Sequence, residues 1–315
     1  MKIAPIVLFV YNRPLHTQKT IDALLKNNLA SESELYIFSD GYKDTDKNQT
    51  QVENVRNYIK TIKGFKNIII FERKKNLGLS RNIIDGVTSI IDKYGKIIVL
   101  EDDLLTSTYF LKFMNEALSL YEHQDEVISV HGYIYPIKEE LPETFFIKGA
   151  DCLGWGTWKR GWDLFNPDAS ILLNKIIKEN KTKEFNYGNS YPYFKMLKKQ
   201  AEGNVDSWAI RWYASAFLKE KLTLYPYKSL VFHNGSDGSG TNFPDDRSLD
   251  VNLLDKPICL KLLPVEENKV AKKAFENYFR KVHSSYLKLI IRRIKRIIKI
   301  DLYEKINSLF TSNID

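Results

Sequence analysis

KIIVLEDDLLT, residues 96–106, sets an unbroken apolar run against three consecutive carboxylates. Ile97, Ile98, Val99 and Leu100 form the kind of short, largely β-branched run that a strand buried on both faces requires. Glu101, Asp102 and Asp103 follow with no spacer. Like charges massed at the end of a buried strand are costly unless they are paired or metal-bound. Carboxylate oxygens suit a hard cation, Mn²⁺ or Mg²⁺. Adjacent side chains of an extended segment point in opposite directions, so the three cannot all grip one ion from one side. The plainer alternative is a surface turn in which Asp102 or Asp103 caps the next helix.

The same strand motif recurs upstream. Residues 3–10 (IAPIVLFV), 35–39 (LYIFS) and 67–71 (NIIIF) are further apolar runs bounded by turn residues. Between them, residues 16–27, 49–62 and 79–93 place apolar side chains at helical spacing, as in Ile83, Ile84, Val87, Ile90 and Ile91. Strand–helix alternation with apolar strands predicts an α/β fold with a mostly parallel central sheet flanked by helices. Ligands of such sheets bind beyond the carboxyl ends of the strands. Asn12-Arg13, Asp40-Gly41, the loop after Phe71 and Glu101–Asp103 should therefore share one rim. Beyond Asp103 the spacing predicts a helix over 108–121, a strand over 127–130 and an aromatic helix over 206–220. A Gly- and Trp-rich stretch spans 145–165, and HNGSDGSGTN covers 233–242. That glycine run ends without the Lys-Ser/Thr of a P-loop. Trp155, Trp158 and Trp162 are either a stacking wall for a sugar ring or one packed face, and the glycines among them disfavour a regular helix.

Two cysteines, Cys152 and Cys259, exclude a thiolate zinc centre and argue against a disulfide framework. No apolar run reaches the roughly 18–20 residues needed to cross a bilayer, and the opening residues do not read as a signal peptide. The expected location is cytoplasmic, peripheral at the inner face of the cell membrane. The net charge is +8, and Arg280 to Lys299 holds eight basic and no acidic residues, so the excess belongs to that segment. Within it YLKLIIRRIKRIIKI, residues 286–300, is a basic amphipathic helix suited to an anionic membrane surface rather than to nucleic acid. The expected organisation is one domain over 1–279, with a nucleotide-binding half (1–105), an acceptor half (106–250) and a C-terminal helical region (251–279). A basic tail, 280–315, follows.

IIVLEDDLLTSTYFLKFMNEAL, residues 97–118, resembles the metal-binding segment of GT-A-fold, nucleotide-sugar-dependent glycosyltransferases. The likeness points to the N-acetylglucosaminyltransferase I family and bacterial relatives. IVLFVYNRP (6–14), LYIFSD (35–40), NLGLSRNIIDGV (76–87), CLGWGTWKRGW (152–162) and DSWAIRW (206–212) are similar to further segments in the same order. The resemblance implies a nucleotide-sugar donor, UDP-sugar favoured, and an inverting direct displacement onto an acceptor hydroxyl of a glycan or lipid-linked sugar. It assigns donor contacts to Arg13 (pyrophosphate), Asp40 (nucleobase edge), Arg81 (diphosphate), Glu101 (donor sugar) and Asp102 (ribose or sugar). Asp103 would ligate Mn²⁺ or Mg²⁺, joined by the late histidine His233. Asp206 would deprotonate the acceptor, although the family has two consecutive acids where this chain has Asp206-Ser207. Asp151, Trp155, Trp158 and Arg211 would line the acceptor or sugar pocket. The rival enzyme reading, a nucleotidyltransferase, wants a Gly-rich, Lys-containing loop after the first strand, and Tyr11-Asn12-Arg13-Pro14 supplies none. A non-catalytic carbohydrate-binding or membrane-scaffold protein is the third possibility.

Overall fold

Ile6–Val10 forms β1, and all five of its side chains are buried. Burying each such side chain is worth about 1.5–3 kcal/mol, so this strand can only lie at the centre of the molecule. The computed structural model describes residues 2–43, 46–235 and 247–282 of the chain. After β1 come α1 (Pro14–Leu25), β2 (Glu34–Ser39), α2 (Asp46–Ile59), β3 (Asn67–Glu72), α3 (Leu79–Tyr94) and β4 (Lys96–Glu101). β5 (Leu104–Thr106), α4 (Phe110–Leu120), β6 (Val127–His131), β7 (Thr144–Lys148), β8 (Trp155–Trp158) and α5 (Lys159–Trp162) follow. The chain continues through α6 (Ala169–Lys178), α7 (Thr182–Phe185), α8 (Tyr193–Ala201), α9 (Trp208–Leu218), β9 (Leu222–Pro226) and β10 (Val231–His233). A last helix covers 269–282, whereas 250–268 carries none.

Eight strands make one sheet in the order β3-β2-β1-β4-β8-β6-β9-β7. β3, β2, β1 and β4 are all parallel. The parallel pattern expected from the sequence stops at β4, because β8 runs antiparallel between β4 and β6. β9 is parallel to β6, and β7 closes that edge antiparallel to β9. β5 and β10 pair separately as a small antiparallel ribbon.

The alternation of side chains along each strand sorts the core into two layers. Ile6, Leu8 and Val10 face α1 and α4 through Ile21, Leu24, Phe110 and Met114. Val7 and Phe9 face α3 and α9 through Ile83, Val87, Ile90 and Trp212. The result is an α/β fold whose central sheet is flanked by helices. Among the described residues no helix is long and apolar enough to cross a membrane. The basic amphipathic stretch over 286–300 lies outside the described residues, as does most of the glycine-rich run after Gly235.

Candidate functional site

β1 and β4 pair in parallel, Phe9 opposite Glu101, so the chain leaves both strands at the same rim. After β1, Pro14 opens α1 at its first position, where a missing N–H is harmless and φ is already helical. That short turn holds Arg13 over the end of β4. Its guanidinium donates to Asp103 Oδ2 at 2.8 Å and more closely to Asp102 Oδ1. Asp102 also accepts from Tyr11 N at 3.3 Å. Its carbonyl accepts from Thr20 Oγ1 of α1 at 2.8 Å. The ribbon supplies the other side of the site. His233 of β10 pairs with Leu104 of β5, and Asn234 N donates to Asp103 O at 2.7 Å. His233 Nε2 lies 3.5 Å from Asp103 Oδ2. A Cβ at Gly235 would fall 2.4 Å from Asp103 Oδ2 and 3.0 Å from His233 Nε2, so only glycine leaves this space open.

The three carboxylates are not electrostatically equivalent. Burial, then the charges of Asp103 and Asp102, raises Glu101 well above the usual carboxylate range, against an opposing pull from Arg13. Burial also raises Asp102, while Arg13 holds it down and Asp103 pushes it up. Burial works against Asp103 as well, but hydrogen bonding with His233 and the Arg13 charge carry it below its ordinary value. Asp103 is therefore the group most firmly ionised, with its side chain 13% exposed. Arg13, penalised by burial, is lifted above its ordinary value by Asp102 and Asp103. Among the described residues no group of three or more His, Cys, Asp or Glu side chains is arranged to hold a metal. The oxygen and nitrogen pair at Asp103 and His233 is of the right chemistry for a divalent ion that draws its remaining ligands from substrate and water.

Asp40 sits deeper in the rim than the sequence suggests. Its carboxylate accepts from Gly41 N (2.8 Å), Leu77 N (2.9 Å), Gly78 N (3.0 Å) and Asn76 Nδ2 (3.2 Å). With both oxygens committed and 4% of the residue exposed, Asp40 clamps the loop before α3 instead of presenting a free edge to a base. Gly41 permits that packing, since a Cβ there would fall 2.3 Å from the Lys75 carbonyl carbon. Arg81 does not turn toward the acids. It lies in the first turn of α3, 72% exposed and 3.9 Å from Asp85. The helical period directs its neighbour Ser80 inward instead.

Asp206 and Arg211 are brought together. Arg211 donates to Asp206 Oδ1 at 2.9 Å, to Ser207 O at 3.1 Å and to Pro167 O at 3.2 Å, and makes a closer bond to Ser80 Oγ. Burial lowers Arg211, and Asp206 opposes the shift. Ser207 caps α9 by accepting from Ile210 N, which leaves Asp206 at the mouth of the helix with its side chain 64% exposed. Among the described residues no hydrogen bond or ion pair joins this pair to Asp102 or Asp103. Arg211 instead ties Asp206 to Ser80 in the first turn of α3, which follows the loop that Asp40 clamps.

Trp155 and Trp158 do not form a sugar-stacking wall. They are 1% and 3% exposed in strand β8. Trp155 packs on Trp208 and Trp212 at 5.5 and 5.6 Å, and Trp158 Nε1 donates to Leu118 O. The alternating glycines permit a strand, not the helix face or the open wall. Asp151, in the loop before β8, is half-buried and accepts from Tyr135 Oη at 2.9 Å. Sequence reasoning missed Thr20, Ser80, Tyr11 and Tyr135. Thr20 could have been suspected as a hydroxyl among apolar positions on the buried face of α1, while the others depend on contacts far apart in the chain.

The chain matches the family model described as "Glycosyl transferase family 2" over residues 6–202. The match supports the GT-A, nucleotide-sugar-dependent superfamily and does not single out the N-acetylglucosaminyltransferase I family. No curated protein matches at a significant level. Three solved structures illustrate how loose the likeness in shape is. The S. aureus TarS crystal structure shares 15% identity at a TM-score of 0.30, over 46% of this chain and 24% of that one, so this chain spans about a quarter of its length. A UDP-glucose pyrophosphorylase complexed with UDP-glucose shares 12% identity at 0.34, over 71% and 90%. Mouse xyloside xylosyltransferase 1 in its apo form shares 11% identity at 0.36, over 69% and 82%. Likenesses of this order do not bear on function.

Proposed function

This chain belongs to glycosyl transferase family 2, and from that premise we propose that it moves a sugar from a UDP-sugar to an acceptor hydroxyl with inversion. The observation that carries the reading is Asp103. It is drawn toward its ionised form by His233 and Arg13, set at the carboxyl end of a central strand, and flanked by the space that Gly235 leaves. A leaving nucleoside diphosphate accumulates negative charge, and a rim with a guanidinium and room for a hard cation is suited to receive it.

Asp103 and His233 are the residues that would hold Mn²⁺ or Mg²⁺. When bound, such an ion supplies Lewis-acid stabilisation to the diphosphate. Arg13 already neutralises Asp102 and Asp103 and would turn part of its hydrogen-bonding capacity to the donor's phosphates. Glu101, whose proton is held more tightly because of burial and the neighbouring carboxylates, would hydrogen-bond the donor sugar. Asp206 is the base. Its exposed carboxylate would take the proton of the acceptor hydroxyl as that oxygen bonds to the anomeric carbon and the diphosphate leaves. Arg211 keeps Asp206 oriented and tied to Ser80 of α3. Residues 1–105 would serve the nucleotide and 106–250 the acceptor, with 251–279 completing one unit. The basic tail, 280–315, would hold the enzyme to the inner face of the cell membrane, where a lipid-linked acceptor of surface glycan synthesis is found.

A thermal-shift panel of UDP-, GDP- and CMP-sugars, each with and without Mn²⁺, tests the reading. UDP-sugars with Mn²⁺ should give the largest rise in Tm, and Asp103→Ala should abolish both that rise and transfer while leaving the fold intact. Undiminished turnover by Asp103→Ala would remove the metal-site assignment. NMR of the product's anomeric configuration checks inversion.

A further inference from the structure

β3 is the outermost strand at one side of the sheet and β7 at the other. A strand with a free side presents a row of N–H and C=O groups that seek partners. The two edges are finished differently. Along β7 the chain returns to cover its own strand. Glu267 bridges to Phe146, Asn268 N donates to Phe146 O at 2.9 Å, and Lys148 N donates to Glu267 Oε1 at 3.0 Å. Along β3 the chain makes no such return among the described residues. Arg73 N donates to Ser39 O of β2 at 2.9 Å. Successive residues of a strand turn their backbone groups to alternate sides. Ile69, Phe71 and Arg73 therefore bond toward β2, while Ile68, Ile70 and Glu72 turn their N–H and C=O groups outward.

The side chains of this edge are apolar. Ile68 and Ile70 are half-buried against the cluster that holds Val55 and Ile59 of α2. On the other face Phe9, Phe38 and Phe71 stand side by side in β1, β2 and β3. Their rings stack, with successive centroids 5.4 and 4.7 Å apart. The ladder runs out at the open edge, where Phe71 is 40% exposed.

Charge selects what can lie there. Lys66 precedes the apolar run and Glu72 ends it. Lys66 is exposed, and among the described residues no acid forms an ion pair with it. Glu72 pairs with Lys60 at 2.7 Å and keeps 32% of its side chain exposed. A second β3 laid antiparallel and centred on Ile69 sets Ile68 opposite Ile70. It also sets Lys66 of each copy opposite Glu72 of the other. Phe71 then lies diagonal to Ile69 of the second copy, within reach of an aromatic ring. A shift of the second strand by two residues one way opposes Lys66 to Lys74 and Ile68 to Glu72. The opposite shift sets Lys66 against Ile70 and Glu72 against Gly64. Opposite charges across the seam are favourable and like charges are not, so the register centred on Ile69 is the one this edge is built for.

We infer that β3 is the surface by which two copies of this chain pair, edge to edge, into one continuous sheet. The two-fold arrangement uses the same patch on both copies and closes on itself. Growth stops at two because each copy covers its β7 edge with its own chain. Main-chain hydrogen bonds supply the affinity and the charged ends fix the register. One short strand from each side makes a small interface of the transient class, below about 1,200 Å².

Sedimentation velocity on the full chain, from about 2 to about 200 µM as suits a weak interface, tests it. Monomer should convert to dimer across that range. Hydrogen exchange over residues 66–73 should be slower at the high concentration than at the low one. Lys66→Glu and Glu72→Lys should each weaken self-association at least five-fold, because each sets like charges across the seam. Mixed in equal amounts, the two variants should pair with one another at least five-fold more tightly than either does with itself, since every facing charge is then opposite. Thermal unfolding shows that each variant is folded. Four results would overturn the assignment. One is a wild-type monomer at every concentration. A second is protection of 66–73 that does not depend on concentration, which would mean that the chain's own remaining residues cover the edge. A third is a dimer whose concentration-dependent protection falls elsewhere. The last is a mixture that associates no better than its components.

Discussion

A methyl group on Gly235 would fall 2.4 Å from Asp103 Oδ2 and 3.0 Å from His233 Nε2. Neither neighbour can easily retreat, since Arg13 holds Asp103 and His233 is 2% exposed in the ribbon. Gly235→Ala should therefore lower Tm modestly, since forcing a methyl into a filled space costs about 1–3 kcal/mol. It should also weaken nucleotide-plus-Mn²⁺ binding at least ten-fold by calorimetry, and wild-type affinity in that variant would mean the space is not used. Glu101 makes a different prediction. Its folded pKa is raised above the value it has in an unfolded chain, so the folded state holds the proton more tightly. Stability is then lost as pH rises from the unfolded value through the folded one, and the penalty is complete on the alkaline side. Glu101→Gln, measured in EDTA, should raise Tm at pH 8 by about 2 °C, on the order of 1 kcal/mol. The gain should vanish near pH 4, where the wild-type carboxyl carries its proton in both states. A pH-independent gain would mean that burial and charge are not its origin.

At the scale of elements, Asp40 gathers the end of the loop between β3 and α3. Asp40 takes the N–H groups of Leu77 and Gly78 just before the first turn of α3, where the helix leaves its donors unpaired. Asp40→Ala strands those donors and should lower stability by about 3 kcal/mol. Amide exchange should accelerate most over residues 74–82, and nucleotide affinity should fall with it. Exchange that accelerates evenly across the sheet would mean the clamp is not local. This element also shows what a sequence can disclose. The apolar strands and the 3.6-residue periodicity of α1, α3 and α4 are local, and they lie within a few residues of expectation. That Arg13, Asp102 and Asp103 come together was legible because they stand at strand ends, and strand ends share a rim. The role of Asp40 was not, because its four donors come from residues 41 and 76–78. Trp155 and Trp158 misled for the same reason. Only the antiparallel pairing of β8 between β4 and β6 buries them, and nothing in their spacing announces it.

For the whole molecule, the distribution of charge makes the last prediction. The eight basic residues between Arg280 and Lys299 equal the entire net charge of +8, so the rest of the chain is close to neutral. A neutral body with a basic, apolar end would reach a membrane by that end alone. Each basic side chain close to an anionic surface is worth about 1 kcal/mol, and the contribution falls off within a Debye length. Deleting residues 283–315 should then reduce partitioning onto vesicles of phosphatidylglycerol at least ten-fold in a sedimentation assay. The intact chain should lose most of its binding between about 0.05 and 0.5 M salt, and should bind phosphatidylcholine vesicles weakly at any salt. Transfer to a soluble acceptor should survive the truncation, since the residues assigned to the donor and to the base all precede it. Transfer to an acceptor embedded in anionic vesicles should fall. Equal partitioning of both proteins would place the membrane contact on the folded body, and the apolar positions of residues 286–300 would then need a protein partner instead.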